Sequence, residues 1–566
     1  MKDEIKKIVD LAVRNLKLGD FNMSEIIVVI PENKKHGEYA TNAPFVMASK
    51  LKKDVREIAE VLKNEIEKAR DPRIEKVEAL GFINFHLTKD FFVDEVKKID
   101  KNYGKAEGSE HGRRIILDYT DPNPFKEFHI GHLMNNAIGE SLSRIFEFQG
   151  AKVKRVCYQG DVGIHVAKAI WGVLNMRSSR EKTFCPDLIK DWAMGYAFGA
   201  QMYEEDENDK KEIIELNKKI YNRSDKNINR LYDEGKKVSL KHFDEIYKKL
   251  GTKFDYLIFE SEVGPVGKKI VEKNLGKVFE KGEKGAVIFK GEKYGFHTRV
   301  FINSEGLPTY EAKDLGLAEI KYKKYAYDQS FIITGNEVNE YFKVMLCAMD
   351  KINPDLAKKT KHIGHGMMRL PEGKMSSRTG NVITGESLIE RVEQLVKEKL
   401  KDRDLSEKEK IEIAEKVAVG ALKYSILKQS IGSDIIYDFD KSISFEGDSG
   451  PYLQYSYTRA QSVLRKAKDE GVKASFKKVP NEITQLEKTM SYFPDAIKKA
   501  TDHYQAHYVS LYLMELASEF NNYYTKNKIV DKKAEFSPYK VALTNAFAQI
   551  MKNGLWMLGI ETLEKM

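Results

Sequence analysis

Between residues 113 and 158 the chain reads strand, turn, helix, strand, and two histidines stand where the helix begins. The run RRIILDYT at 113–120 is β-branched and apolar, which predicts a core strand. A proline-interrupted turn follows at 121–124. A helix is predicted from about Gly131 to Phe148, with Met134, Ile138, Leu142, Ile145 and Phe146 on one face and Gly150 past its end. Residues 152–158 form a second strand. That order opens a parallel α/β sheet, because a strand, a crossover helix and a second strand pack back onto one layer.

The flanking regions read differently. Residues 1–108 predict a small mixed domain. It has helical spacing at Ile5, Ile8, Leu11 and Ala12, a short strand at 25–30 (EIIVVI), two helices within 41–69 and an alternating strand at 81–88. Residues 166–290 are strongly charged with long helical patterns, and they predict an insertion between the two halves of the sheet. Strand-like runs return at 299–303 (RVFIN) and 331–335 (FIITG) around a helix at 312–324, and 361–385 reads as loop-rich. From about 395 onward the pattern is almost wholly helical, which predicts a bundle. The expected domains are therefore 1–108, 109–395 with the insertion inside it, and 396–566.

Length supports several domains: 566 residues correspond to about three to four on the usual prior. The formal charge of +9 is modest for this length and suits phosphate or nucleic-acid partners without requiring them. Three scattered cysteines, Cys157, Cys185 and Cys347, suggest neither a disulfide framework nor a zinc knuckle. They point to a reducing, cytoplasmic setting. No apolar run reaches the roughly 20 residues needed to span a bilayer, so no membrane role is expected.

The sharpest local feature is Phe128-His129-Ile130-Gly131-His132 at the start of the predicted helix. A helix N-terminus offers unpaired N–H groups and partial positive charge, which bind phosphate. Gly131 permits close approach to the backbone. Two imidazoles one turn apart can donate to phosphate oxygens as charge develops. A packed pair of structural histidines is the plainer alternative. The second feature, at 373–381, is Gly-Lys-Met-Ser-Ser-Arg-Thr-Gly-Asn, which gathers Lys374, Ser376, Ser377 and Arg378 in one loop. Such a loop can neutralise a departing pyrophosphate; taken singly, it is also an ordinary basic surface loop.

In this order the two features resemble the H-I-G-H and K-M-S-K-S elements of class I aminoacyl-tRNA synthetases. The chain then resembles arginyl-tRNA synthetases along nearly its whole length. The matching stretches are Asp118-Tyr119-Thr120-Asp121-Pro122-Asn123 with Lys126, Tyr158-Gln159-Gly160-Asp161, Thr309-Tyr310-Glu311-Ala312-Lys313-Asp314, the run FEGDSGPYLQYSYTRAQ before the last helices, and the ending GLWMLGIETLEKM. The resemblance implies a Rossmann-type parallel-sheet catalytic domain with an insertion, a small α/β N-terminal domain that meets the tRNA elbow, and an all-α C-terminal bundle. It implies a two-step reaction, in which arginine and ATP give arginyl-adenylate and pyrophosphate, and the arginyl group then passes to tRNA(Arg). His129, His132, Lys126 and Lys374 would be catalytic. Gly131, Gly366, Met367, Met368, Ser376, Ser377 and Arg378 would bind ATP. Asp118, Asn123, Tyr310 and Asp314 would hold arginine, whose planar guanidinium suits a bidentate carboxylate. Gln454, Tyr455 and Arg459 would read the anticodon. Mg²⁺ would arrive with ATP, held by phosphate oxygens and water. No zinc, no other metal site in the protein and a monomer are expected, and no editing domain.

Three departures stand out. The loop is K-M-S-S-R, so Lys126 is expected to supply the charge of the missing second lysine. The family's G-x-E-Q-D is Gly335-Asn336-Glu337-Val338-Asn339 here, so a valine replaces a glutamine that contacts arginine, and Glu337 or Asn339 could substitute. Val162 and His165 stand where tryptophan and glutamine are common. Two rival readings stay open at this stage. One is another class I synthetase, for cysteine, glutamate or lysine, which the absence of zinc cysteines and the C-terminal motif disfavour. The other is a noncatalytic tRNA- or partner-binding relative, which intact His129, His132 and Lys374 disfavour.

Overall fold

The structure, a computed structural model, describes residues 1–105, 110–179, 188–369 and 384–566, with backbone alone for 177–179. Lys374, Ser376, Ser377 and Arg378 of the basic loop, and Cys185, lie outside the described residues. The chain forms two compact units. One comprises Met1–Gly104, Arg459–Ile497 and Tyr512–Asn553; the other comprises Lys105–Thr458, Lys498–Leu511 and Gly554–Met566.

The larger unit is built on five parallel strands: β1 (Arg114–Asp118), β2 (Lys152–Gln159), β3 (Tyr256–Phe259), β4 (Gln329–Gly335) and β5 (Thr360–His365). Their spatial order is β5-β4-β1-β2-β3, every pair in parallel register. Helix α1 (Ile130–Phe148) joins β1 to β2, and helix α2 (Tyr310–Lys324) leads towards β4. The order reverses between β1 and β4, and ligands of such sheets bind outside the strand carboxyl ends at that point. Pleating sends successive residues of β1 to opposite faces. Ile116 packs with Val156, Ile332 and the α2 residues Ala312, Leu315 and Ala318. Beyond Asp118, Tyr119 turns to the other face and donates its hydroxyl to Glu140 of α1 at 2.6 Å.

Three expectations are corrected here. The segment YLIF at 256–259 lies inside the expected insertion, yet it is β3, the edge of the main sheet, because it pairs with β2. The run RVFI at 299–302 joins instead a small antiparallel sheet with Val287–Phe289 and Glu280–Lys281. The segment 361–385, expected to be loop-rich, opens within a full strand, β5, followed by the short strand Met368–Arg369. Most of the insertion is helical as expected. Its helices Ile164–Ser179, Ile189–Glu205, Glu207–Asn222 and Lys226–Lys249 share a core in which Phe125, from the loop after β1, meets Trp192 and Tyr232.

The smaller unit carries a four-stranded antiparallel sheet ordered Val28–Val29, Tyr39–Thr41, Phe82–Leu87, Ile74–Leu80. Helices Lys2–Asn15, Ala43–Leu51 and Val55–Glu67 pack on it through Ile5, Val9, Met47, Ile58 and Leu62. A boundary at 396 does not coincide with an edge of either unit. Helix Glu407–Leu427 and the last residues belong with the sheet, because Lys423 donates to the carbonyls of Leu250 and Gly559, and Ser141 of α1 to that of Met557.

Candidate active site

The first turn of α1 is closed by its own histidines. His129 is the N-cap, and its Nδ1 accepts from the backbone N–H of His132 at 3.3 Å. Nδ1 of His132 accepts in return from the N–H of His129 at 3.1 Å. This is a capping box made of two imidazoles in place of the usual hydroxyl and carboxylate. The rings stack with centroids 3.3 Å apart. Both Nδ1 atoms act as acceptors, so the network assigns the proton of each neutral ring to Nε2. Electrostatics agree. The protein packed around His129, together with the Lys126 ammonium, holds its pKa down to about 4, and burial drives buried His132 well below the usual histidine range, helped by His129 and Lys126. His129 keeps a solvent-exposed surface, which moderates its depression without changing its direction. Lys126 sits with its Nζ 4.4 Å from the centre of the Tyr196 ring.

The loop between β1 and α1 is held in an unusual shape. Thr120, Asp121 and Phe125 all take positive φ (82°, 50° and 69°), a region costly for non-glycine residues. Side chains pin them. Asp121 Oδ1 accepts from Tyr158 N at 2.8 Å, Asn123 Oδ1 from Gly160 N at 3.1 Å, and Ser239 Oγ from Phe125 N at 2.9 Å. Gly160 admits this contact: a Cβ there would lie 2.4 Å from Asn123 Oδ1 and push that side chain off its bond. Next to it, fully buried Asp161 accepts from the hydroxyls of Tyr232 (2.7 Å) and Ser261 (2.7 Å), from Lys236 (2.8 Å) and from Ser261 N (2.9 Å). That carboxylate ties the insertion to the ends of β2 and β3. His165, in the departing stretch, bonds the Gly160 carbonyl at 2.8 Å, and burial lowers it to about 4.

Four acidic side chains converge beside this loop. Asp118 is 1% exposed and its Oδ2 lies 3.0 Å from the Lys321 ammonium, equally buried on α2. Its Oδ1 is buried without a hydrogen-bond partner. Asp314 accepts from the Tyr341 hydroxyl, and burial raises its pKa to about 7, with Tyr341 opposing and Asp118 reinforcing. Burial pushes Asp121 up strongly, and Asp118 adds to it. Glu260 pairs with Lys313, both nearly buried. Tyr310 is the first residue of α2 and is exposed; Lys313 lies 5.2 Å from its ring centre, and Glu260 is among its charged neighbours. At the departed glutamine, Val338 is half-buried and packs against the edge of the sheet's core, while Glu337 folds over Gly335 and Asn339 over Gly364.

On the far side of the switch point, Gly366 runs against another backbone: a Cβ would meet the Ser433 carbonyl oxygen at 2.2 Å. Met367 N donates to Asp434 at 2.9 Å, its carbonyl accepts from Ile435 at 2.8 Å, and the Arg369 carbonyl accepts from Tyr437 at 2.8 Å. The ladder thus uses Met367 and Arg369 and turns the main chain of Met368 the other way. His365 ties this segment to α1 through Asn135.

The anticodon candidates separate. Gln454 is fully buried and its amide donates to the carbonyls of Glu561 (2.8 Å) and Lys416 (3.3 Å). It packs the C-terminal segment and offers no surface to a nucleotide, which corrects the expectation for it. Tyr455 is half-buried. Arg459 bonds Asn521 and lies 5.0 Å from the Tyr524 ring centre. Sequence reasoning missed Lys321, Glu260, Tyr341 and the partners of Asp161, which it had named only within a matching stretch. The first had a signal, since seven residues separate it from Asp314 and this spacing puts both on one face of a helix. Among the described residues no group of three or more His, Cys, Asp or Glu is arranged to hold a metal.

A parallel sheet of this order, with two neutral imidazoles at the mouth of its first helix and a carboxylate pocket beside them, defines a class I synthetase catalytic domain. Family models agree: residues 95–439 match the class I (R) tRNA synthetase catalytic domain, 453–566 the DALR anticodon binding domain, and 3–87 the arginyl tRNA synthetase N-terminal domain. The chain is 31% identical over 575 residues to the arginine–tRNA ligase of Clostridium acetobutylicum, covering 100% of this chain and 99% of that protein. It is 31% identical over 559 residues to that of Clostridium botulinum (strain Langeland), covering 97% of each. The fold matches arginyl-tRNA synthetase from Plasmodium falciparum (TM-score 0.80, 22% identity, 100% and 99% covered) and from Thermus thermophilus (0.81, 21%, 100% of both). The chain belongs to the arginyl-tRNA synthetase family.

Proposed function

We propose that the arginine–tRNA ligase activity of this chain turns on the Nε2–H groups of His129 and His132. The activity is the ATP-dependent attachment of arginine to tRNA(Arg) for protein synthesis. The observation that carries the reading is the reciprocal cap, which uses both Nδ1 atoms and leaves both Nε2–H groups as donors. Neutral donors held at a helix N-terminus suit the charge that builds on the α-phosphate oxygens as the arginine carboxylate attacks, and they need no reorganisation then. Lys126 adds a cation beside them, in the place of the lysine missing from the loop, and Lys374 would meet the β- and γ-phosphates. The turned-out main chain of Met368, with Gly366 and Met367, would face adenine, and Gly131 would admit the phosphates.

Arginine would lie against the acidic cluster. Asp314 would take the guanidinium with Tyr310 beside it, and Asp118 and Asn123 the α-amino end. The pinned positive-φ loop holds Asn123 in place beforehand, so less order is lost on binding. Mg²⁺ would come with ATP, since this ion is commonly held by phosphates, water and one or two carboxylates. Tyr455 and Arg459 remain the candidates for the anticodon, within a C-terminal domain that follows the catalytic one, and residues 1–108 would meet the tRNA elbow. The enzyme is taken to be a cytoplasmic monomer.

ATP–pyrophosphate exchange with each of the twenty amino acids, with and without tRNA, tests the reading. Exchange specific to arginine supports it. Exchange with another amino acid overturns the assignment of the acidic pocket, and no exchange under any condition overturns the catalytic role of the histidines.

A further inference from the structure

We propose that Lys321 is a positioning residue of the amino-acid pocket: its ammonium is a resident counter-charge that occupies Oδ2 of Asp118 and keeps Oδ1 an ionised acceptor for the α-ammonium of the substrate. The inference rests on the reading of Asp118 above and deepens it.

The geometry is specific. Lys321 and Asp118 are each 1% exposed and 3.0 Å apart, one on α2 and the other at the carboxyl end of β1. Asp118 Oδ1 is equally buried and has no partner. A carboxylate that served only to tie helix to sheet would be expected to have both oxygens satisfied, since buried polar atoms without partners are uncommon. Here one oxygen is used and the other is buried without a partner.

The surroundings explain why a fixed cation is needed. Asp118 is faced by Asp121 from its own loop, by Asp314 and Lys321 from α2, and by Cys157 and Tyr158 from β2; Lys321 is also faced by Tyr327. Of these groups Lys321 alone is cationic. Burial and neighbouring carboxylates both favour the protonated acid. A protonated Asp118 would carry a donor where the substrate needs an acceptor. The Lys321 ammonium opposes both effects, and the two turns of helix between it and Asp314 put both side chains on one face, where Asp314 is among the charged neighbours of Lys321. When arginine enters, Asp118 bridges two ammonium groups, one on each oxygen.

The test uses the full chain with tRNA, measuring pyrophosphate exchange for Lys321→Met and Lys321→Arg. The probe is 5-guanidinopentanoic acid, which is arginine without its α-amino group. Lys321→Met is expected to raise KM for arginine about tenfold or more, the equivalent of one pK unit at the carboxylate. It should move the acid limb of kcat/KM for arginine to higher pH, and leave unchanged both KM for ATP and inhibition by the probe. Lys321→Arg should restore most of the loss. Equal weakening of arginine and the probe, or an unchanged KM and pH limb, would overturn the proposal. If Lys321→Met does not fold, Lys321→Gln, which keeps a donor without the charge, carries the same readings. Asp118→Asn separates the two levels. If it leaves KM for arginine unchanged, the reading of Asp118 fails; if it raises KM while the Lys321 variants do not, only the role of Lys321 fails.

Discussion

The first turn of α1 and the join between helix Gly450–Asp469 and the last residues both carry family motifs, and both use side chains to close backbone groups. They differ in what is left over. At α1 each imidazole uses Nδ1 internally and keeps a second polar atom, Nε2–H, with His129 reaching the surface. At the C-terminal join, Gln454 donates to the Glu561 carbonyl, Thr458 to that of Leu563 (2.8 Å) and Lys423 to that of Gly559 (2.7 Å). All three are buried, and their donors end in the chain's own carbonyls; the Oε1 of Gln454, packed against Gly420, is buried without a partner. A motif residue whose donors are consumed by its own backbone is scaffold. One that closes the backbone with one atom and presents another is a candidate for chemistry. Resemblance to a motif does not distinguish the two cases; a remaining donor on a residue pair that reaches the surface does.

The largest effect that tests this contrast is His132→Ala. Its loss should lower the rate of adenylate formation by about 10²–10³, the scale of removing one oxyanion donor. Losing the reciprocal half of the capping box should cost about 1 kcal/mol of stability. Single-turnover kinetics beside thermal melts would read both, and an activity loss that merely followed stability would place the histidines with the scaffold.

Next comes pH. Asp314 is raised to about 7, so its carboxylate is present above that pH and lost as pH falls through it. Affinity for arginine should therefore drop by about tenfold per pH unit below 7, and Asp314→Asn should abolish the dependence. Because the native state holds this proton more tightly than the unfolded chain, the same group lowers stability as pH rises from about 4 to about 7. Titrating arginine by calorimetry across pH 5.5–8 would show the trend; a flat profile would remove Asp314 from the guanidinium site.

Gln454→Ala should behave in the opposite manner to His132→Ala. It leaves the carbonyls of Glu561 and Lys416 without their donor, and should cost about 1–3 kcal/mol in denaturant unfolding with kcat per folded molecule unchanged. A specific loss of tRNA affinity with no loss of stability would return this residue to the anticodon site.

The smallest effect is at the cap itself. His129 is depressed to about 4, so the unfolded chain binds its proton first, and the stability of the cap is present above about 6.5 and fades as pH falls towards 4. His129→Asn, which caps without titrating, should flatten that slope in acid melts.

Much of the catalytic core was legible because it is written locally. Apolar spacing and the glycine at 150 placed the helix within one residue of its observed start, Ile130, and at its observed end, Phe148. The two histidines three residues apart could be read as a helix start that binds phosphate. What could not be read were the pairings. YLIF and RVFI look alike as short apolar runs, yet one closes the main sheet and the other joins a small one, because periodicity reports which face is buried and not which strand lies alongside.

The sequence by itself determined the strand–turn–helix unit, the identity of the family and the residue types at the phosphate end, all set by spacings of a few residues. Tertiary structure alone decided that Gln454 is buried, that Val338 packs against the core, and that Lys321 meets Asp118 across 203 residues of chain. The physical reason is range. Helix caps and turns are settled by neighbours along the backbone, whereas the charge state of a buried carboxylate depends on whichever side chains the fold brings within a few ångströms of it.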